Sequence, residues 1–149
     1  MNGAGIAVAV DGSAASRDGL AHAIDLAARA TCPLTGIFVL DTGWADYIGN
    51  DWQSSAGARQ GFLDYVREQL EAQAEAARRQ FEAATAGLPG AAFRVVAGDP
   101  LTALCGSLEE TGCATLVFGR DVFAVCGRPS ARRLARELPR RLRERVTVV

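Results

Sequence analysis

Ile6-Ala7-Val8-Ala9-Val10-Asp11-Gly12-Ser13 is a short, almost continuous apolar run that stops at an acid and a glycine. Successive apolar positions mean that both faces of the strand are covered, which marks a central strand of a parallel sheet. The Asp11-Gly12-Ser13 turn then opens a helix, with Ser13 or Ser16 expected at its N-cap. Leu20, Ile24, Ala27 and Ala28 recur along that helix at helical spacing. Leu34 to Leu40 repeats the strand pattern and ends at Asp41.

Outward from this first unit the alternation continues. Residues 41–60 read as a loop of unusual length that holds Trp44, Tyr47 and Trp52. Phe62, Val66, Leu70, Ala74, Ala77, Phe81 and Ala84 make one stripe of a long helix, which Gly87-Leu88-Pro89-Gly90 stops. A third strand, Phe93 to Ala97, leads to Gly98-Asp99-Pro100, where an Asp N-cap and a Pro at the first helical position match. Leu101, Leu104, Cys105 and Leu108 are the expected buried stripe, and Gly112 closes the helix. Thr115 to Phe118 is a fourth strand. After an irregular stretch, Ala131, Leu134, Ala135, Leu138 and Leu142 line a last helix, which Pro139 is expected to end or bend. Val146 to Val149 is the final strand. Strands and helices alternating in this way predict one doubly wound α/β domain with a five-stranded parallel sheet. Ligands on such sheets sit beyond the carboxyl ends of the strands, which points to the turns at Asp11, Asp41, Gly98 and Gly119.

Composition narrows the chemistry. The 149 residues are 49% hydrophobic and 22% charged, enough for a single domain with a substantial core. All sixteen basic residues are arginine and His22 is the single histidine. A Schiff-base or Walker-A lysine is therefore excluded, as is a multi-histidine metal site. The net charge of −1 hides an asymmetry: residues 1–119 hold seven arginines against fourteen acids, residues 120–149 nine against three. That balance argues against a general nucleic-acid binder while leaving a basic carboxyl-terminal end. Cys32, Cys105, Cys113 and Cys126 form no C-x-x-C pair, and Met1 to Gly5 carries no positive leader, so a reduced, cytoplasmic protein without a membrane span is expected.

The pieces Ala7-Val8-Ala9-Val10-Asp11-Gly12-Ser13, Gly36-Ile37-Phe38-Val39-Leu40-Asp41, Val96-Ala97-Gly98-Asp99-Pro100 and Leu116-Val117-Phe118-Gly119, with Val146-Thr147-Val148-Val149 at the end, together resemble the universal stress protein family. The resemblance covers nearly the whole chain. It implies an adenine-nucleotide alpha-hydrolase-like sheet of order 3-2-1-4-5 and a homodimer through the last strand. Many members bind ATP and others do not. In binders, the adenine and ribose lie against residues matching Ala9, Val10, Asp11 and Val39, and the phosphates lie on a loop G-x2-G-x9-G-[S/T] that begins here at Gly119.

This chain departs from that loop. The pattern requires glycine at 122 and 132 and Ser or Thr at 133, whereas Val122, Arg132 and Arg133 stand there. Glycines matter because they let backbone N–H groups approach phosphate oxygens. A variant site would use Gly119, Gly127 and the Ser130 hydroxyl, with Arg128, Arg132 or Arg133 supplying charge. Equally, those arginines would fill the phosphate space. The departures point to a lost or weakened ATP site, and ATP or AMP stays open as the ligand.

Other residues carry competing readings. Asp11 either orders a ribose or metal, or caps its own turn. His22 lies off the apolar stripe and reads as solvated; no serine or cysteine has an identifiable histidine partner, and no G-x-S-x-G elbow is present. Neither catalytic residues nor metal ligands are assigned. The aromatic loop either packs on itself or a partner subunit, or stacks on a base. The arginines of the last helix read as a solvated face, and Cys126 as the cysteine most open to redox chemistry. The expected protein is thus non-enzymatic and dimeric, acting in stress response through a small ligand or partner. The alternative is an ATP- or AMP-binding protein with slow hydrolysis.

Overall fold

The computed structural model describes residues 4–41, 56–123 and 133–149. Its elements alternate as the pattern requires: β1 (Ile6–Ala9), α1 (Ala15–Ala30), β2 (Leu34–Leu40), α2 (Ala56–Ala84), β3 (Ala91–Ala97), α3 (Pro100–Thr111), β4 (Thr115–Phe118), α4 (Leu134–Leu142) and β5 (Val146–Val148). A 3-10 turn, Arg143–Arg145, joins α4 to β5. The sheet is five-stranded and parallel throughout, with order β3-β2-β1-β4-β5. β1 is central: Ile6 to Ala9 pair with Leu34 to Ile37 on one side, and Ile6 to Val8 with Thr115 to Val117 on the other. All four β1 residues are buried, as their unbroken apolar run demands.

Helices cover both faces of the sheet, and the core runs from Val8 and Leu20 through Phe38 and Phe81 to Leu104, Phe118 and Leu138. Local signals set α3. The Asp99 carboxylate accepts the Thr102 N–H at 3.1 Å, Pro100 occupies the first helical turn, and Gly112 ends the helix at φ 69°. In α2, Leu70, Ala77 and Phe81 are buried. The stripe shifts at its end, where Thr85 is buried and Ala84 exposed, because the Thr85 N–H and hydroxyl both bond to the Phe81 carbonyl. The Phe62 and Ala131 side chains fall outside the described residues.

Three expectations need correction. Residues 56–60, read as loop, are the first turn of α2. Neither Ser13 nor Ser16 is the N-cap of α1; that position is Ala14, and the serines serve the turn before the helix. Pro139 does not end α4, which runs to Leu142 with Pro139 inside it. Leu134, Leu138 and Leu142 are all buried on one side, and the Arg143 N–H returns to the Pro139 carbonyl, so packing holds the turn although one backbone bond is lost.

Candidate functional site

The carboxyl end of β1 is where the elements converge. Val10 continues the ladder by donating its N–H to the Ile37 carbonyl at 2.9 Å. Asp11 follows, only 6% exposed. Its Oδ1 accepts the Ser13 N–H at 2.8 Å and the Ser13 hydroxyl at 2.6 Å, and lies 3.1 Å from the Ser16 hydroxyl. Its Oδ2 accepts the Phe123 N–H at 2.9 Å, from a turn 112 residues away. A buried carboxylate needs such donors, and groups of this chain supply them. Ser13 also accepts the Ala15 N–H through its hydroxyl at 3.2 Å, a bond within the turn that leads into α1.

Gln80 of α2 locks this turn from outside. Its Oε1 accepts the Gly12 N–H at 3.1 Å and the Ser16 hydroxyl at 2.6 Å, while its Nε2 donates to the Ser13 carbonyl at 2.9 Å. The close approach depends on Gly12: its φ is +83°, and a Cβ there would stand 3.0 Å from Ala76 Cβ and Ala77 N. Nothing in the one-dimensional pattern marks Gln80, which sits between the stripe residues Ala77 and Phe81 as a solvent-facing residue would. Since α2 reaches the β1 turn at Ala76, about 30 Å of helix precede that point at 1.5 Å per residue.

The turn after β4 packs against the same end of the sheet. Gly119 is buried, and a Cβ on it would stand 2.6 Å from the Ala15 carbonyl oxygen, so α1 rests directly on this backbone. The Arg120 N–H donates to the Val149 carbonyl, the Val122 N–H to the Gly119 carbonyl, both at 3.0 Å, and the Phe123 N–H to Asp11. Val122 is fully buried and Phe123 is 2% exposed. Phe123 has φ 70°, a left-handed backbone that costs a residue with a Cβ about 1–2 kcal/mol. Its ring lies edge-on to Phe38 of β2 at 5.8 Å and tilted to Phe118 of β4 at 6.5 Å, so it spans the end of the strand between them. Its burial was not foreseen, because the stretch after Gly119 reads only as irregular.

Of the residues singled out, Ala9, Val10, Asp11, Val39 and Gly119 are all buried at this end of the sheet. Gly127 and Ser130 lie outside the described residues, as do Trp44, Tyr47, Trp52, Cys126, Arg128 and Arg132. His22 is half-buried on α1 rather than fully solvated. Arg133, Arg136, Arg140, Arg141 and Arg143 are exposed, whereas Arg145 is bound in place by Glu109 and the Cys113 and Ala114 carbonyls. Among the described residues there is no cluster of three His, Cys, Asp or Glu able to hold a metal ion, and no helix long and apolar enough to cross a membrane. Cys32, Cys105 and Cys113 are free thiols. Burial pushes the Cys105 thiol above its ordinary value, against the opposing pull of Arg141 and Arg145. An apolar groove lined by Ala27, Thr31, Cys32, Pro33, Leu88 and Pro89 lies at the amino ends of the strands, away from Asp11.

Solved structures share this architecture. The universal stress protein UspA from Lactobacillus plantarum superposes with a TM-score of 0.73 at 20% identity, covering 100% of this chain and 99% of its own. A universal stress protein in complex with cAMP gives 0.61 at 20% identity, covering 100% and 98%. The universal stress protein from Archaeoglobus fulgidus in complex with dAMP gives 0.64 at 14%, covering 99% and 98%. At such identities these likenesses speak for the fold, the Rossmann-like adenine nucleotide alpha-hydrolase type. No curated protein sequence matches the chain. The sequence pattern described as the universal stress protein family matches residues 5–135, from the first strand into the last helix. With that match spanning most of the chain, and with strand order 3-2-1-4-5 around Asp11 and Gly119, the chain belongs to the universal stress protein family.

Proposed function

We propose that this chain is a non-enzymatic universal-stress-type protein of the cytoplasm, a homodimer that acts in stress response through a small ligand or partner, with its ATP phosphate loop degenerate. The observation that carries the reading is the fate of the backbone donors after β4. A phosphate loop presents free N–H groups to oxygens. Here the N–H groups of Arg120, Val122 and Phe123 are all bonded within the chain. Val122 also places a buried side chain where the pattern has glycine. The edge strand β5, half-buried and paired with β4 alone among the described strands, supports pairing with a second copy. Free thiols at Cys32, Cys105 and Cys113 fit a reducing compartment.

A second reading rests on the neighbours solved with cAMP and dAMP. In it, Ala9, Val10, Asp11 and Val39 hold an adenine nucleotide, with Gly119, Gly127 and Ser130 as a variant phosphate site, and any hydrolysis is slow. One experiment separates the two. Purified protein is denatured, released small molecules are identified by mass, and ATP is then titrated calorimetrically into the ligand-free protein. Absence of bound nucleotide and of ATP binding is the expected outcome; stoichiometric ATP or AMP overturns it. Sedimentation velocity on the same sample tests the dimer, and a monomer at tens of micromolar concentration would refute that part.

A further inference from the structure

We propose that the outer side of α4 is a docking surface for an acidic peptide segment of a partner protein, one that presents carboxylates along one face of a helix. This gives a chemical class to the partner in the reading above, and it concerns a different part of the molecule from the strand ends. Leu134, Leu138 and Leu142 hold α4 on the core. Arg133, Arg136 and Arg140 recur three and four residues apart on the side turned away from those leucines. Arg143 continues the row where the helix ends, and all four arginines are exposed. At about 1.5 Å per residue the row is about 15 Å long.

Two observations separate this row from an ordinary solvated face. Arg29, Arg78 and Arg79 are exposed too, yet each bridges an acid of its own helix. Among the described residues no carboxylate meets an arginine of the row, although Glu137 and Glu144 are close in sequence. The row is also unfavourable in the free protein. Arg133 is the N-cap of α4 and Arg136 lies in its first turn, the end of a helix that repels cations. Like charges three and four residues apart repel each other as well. Arg143 keeps φ 56°, where a glycine would sit without strain. A line of carboxylates opposite the row would relieve both repulsions.

Charge and shape select the occupant. Residues 1–119 hold fourteen acids against seven arginines, so a nucleic acid or an anionic bilayer, reaching past one helix, meets a negative body. The large exposed apolar side chains among the described residues are Tyr65, Val95 and Val149, none of them on α4. The row therefore has no ring for a base and no wedge for a bilayer. A peptide covers the row alone, and guanidinium forks match carboxylates bidentately.

The test is fluorescence anisotropy of a labelled helical peptide of about fifteen residues, with glutamates three and four residues apart on one face, titrated with the full chain. A peptide of the same composition with its glutamates scattered is the reference. The row peptide is expected to bind about tenfold tighter than the scattered one, with affinity falling as salt rises. Arg136→Glu with Arg140→Glu changes exposed positions and leaves the buried leucines intact. It should weaken the row peptide about tenfold or more, and a peptide with arginines in place of the glutamates should then bind the variant better than the wild type. Arg136→Gln with Arg140→Gln, expected to lose about fivefold, replaces it if the first variant does not fold by far-UV circular dichroism. Equal affinity for the two glutamate peptides overturns the row. Duplex DNA or phosphatidylserine vesicles that bind tighter than the peptide overturn the choice of occupant, as does salt-sensitive self-association that the variant abolishes. ATP that displaces the peptide overturns the location. ATP that binds and leaves the peptide in place supports the separate surface and overturns the phosphate-loop reading alone.

Discussion

Replacing Asp11 with asparagine keeps the shape of the side chain and removes its charge. In one orientation the amide oxygen stays with the Ser13 N–H and the two serine hydroxyls, and the amide nitrogen then faces the Phe123 N–H. The 2.9 Å bond to Phe123 is lost and a donor meets a donor in a buried place. Losing a hydrogen bond to a charged group and leaving a buried donor unsatisfied cost about 1.5–3 and 1–3 kcal/mol, and the two overlap, so the total is about 2–4 kcal/mol. With a urea slope of about 2 kcal/mol per molar, the midpoint falls by about 1–2 M. Urea melts by fluorescence and circular dichroism measure it, and hydrogen exchange at the Phe123 amide should quicken in parallel. A residue that serves a ligand alone would leave the unliganded protein unaffected. A midpoint within about 0.25 M of wild type, roughly 0.5 kcal/mol at that slope, would therefore refute the structural role of Asp11.

Gly36→Ala places a methyl 2.5 Å from the Phe81 ring and should cost about 1–3 kcal/mol by overpacking. Phe81→Leu in the same chain should recover part of it, and strict additivity in the double-mutant cycle would sink the account. Asp99→Ala removes the acceptor of the Thr102 N–H and should lose about 1 kcal/mol. Calorimetry should then show a melting temperature lower by about 2–4 °C. The Cys105 thiolate is disfavoured by burial, so iodoacetamide labelling of its peptide should reach half-maximal rate at higher pH than a free thiol. Arg141→Gln should move that midpoint higher still, because a nearby cation favours the thiolate; a downward move contradicts the assignment.

Local physics was readable and long-range contact was not. The unbroken run at Ile6 to Ala9 and the Asp99-Pro100 start of α3 state their own environments, and the structure agrees with both. Order and spacing of the strand-end motifs carried the family. Gln80 escaped because its polar character beside Ala77 and Phe81 is what any solvent face shows, and its partner Gly12 is 68 residues away. Phe123 escaped for a similar reason: a lone aromatic after a glycine has no period, and its burial follows only once β1, β2 and β4 meet. Pro139 does not stop α4 because packing outweighs propensity there, three buried leucines against one missing N–H.

The central place of β1 has a consequence for the order in which the molecule comes together. Its first edge is covered early, since β2 begins at Leu34, while its second edge waits for Thr115. During synthesis at about 5–20 residues per second, β4 begins to emerge about 1–4 s after β3 is complete. Through that interval the middle of the future sheet is a bare, fully apolar margin, the kind that invites pairing with a stranger. The joining of β4 to β1 is then the long-range, slow event of folding. The bond from Phe123 to Asp11 crosses the same seam, and it can close only after the two halves have met.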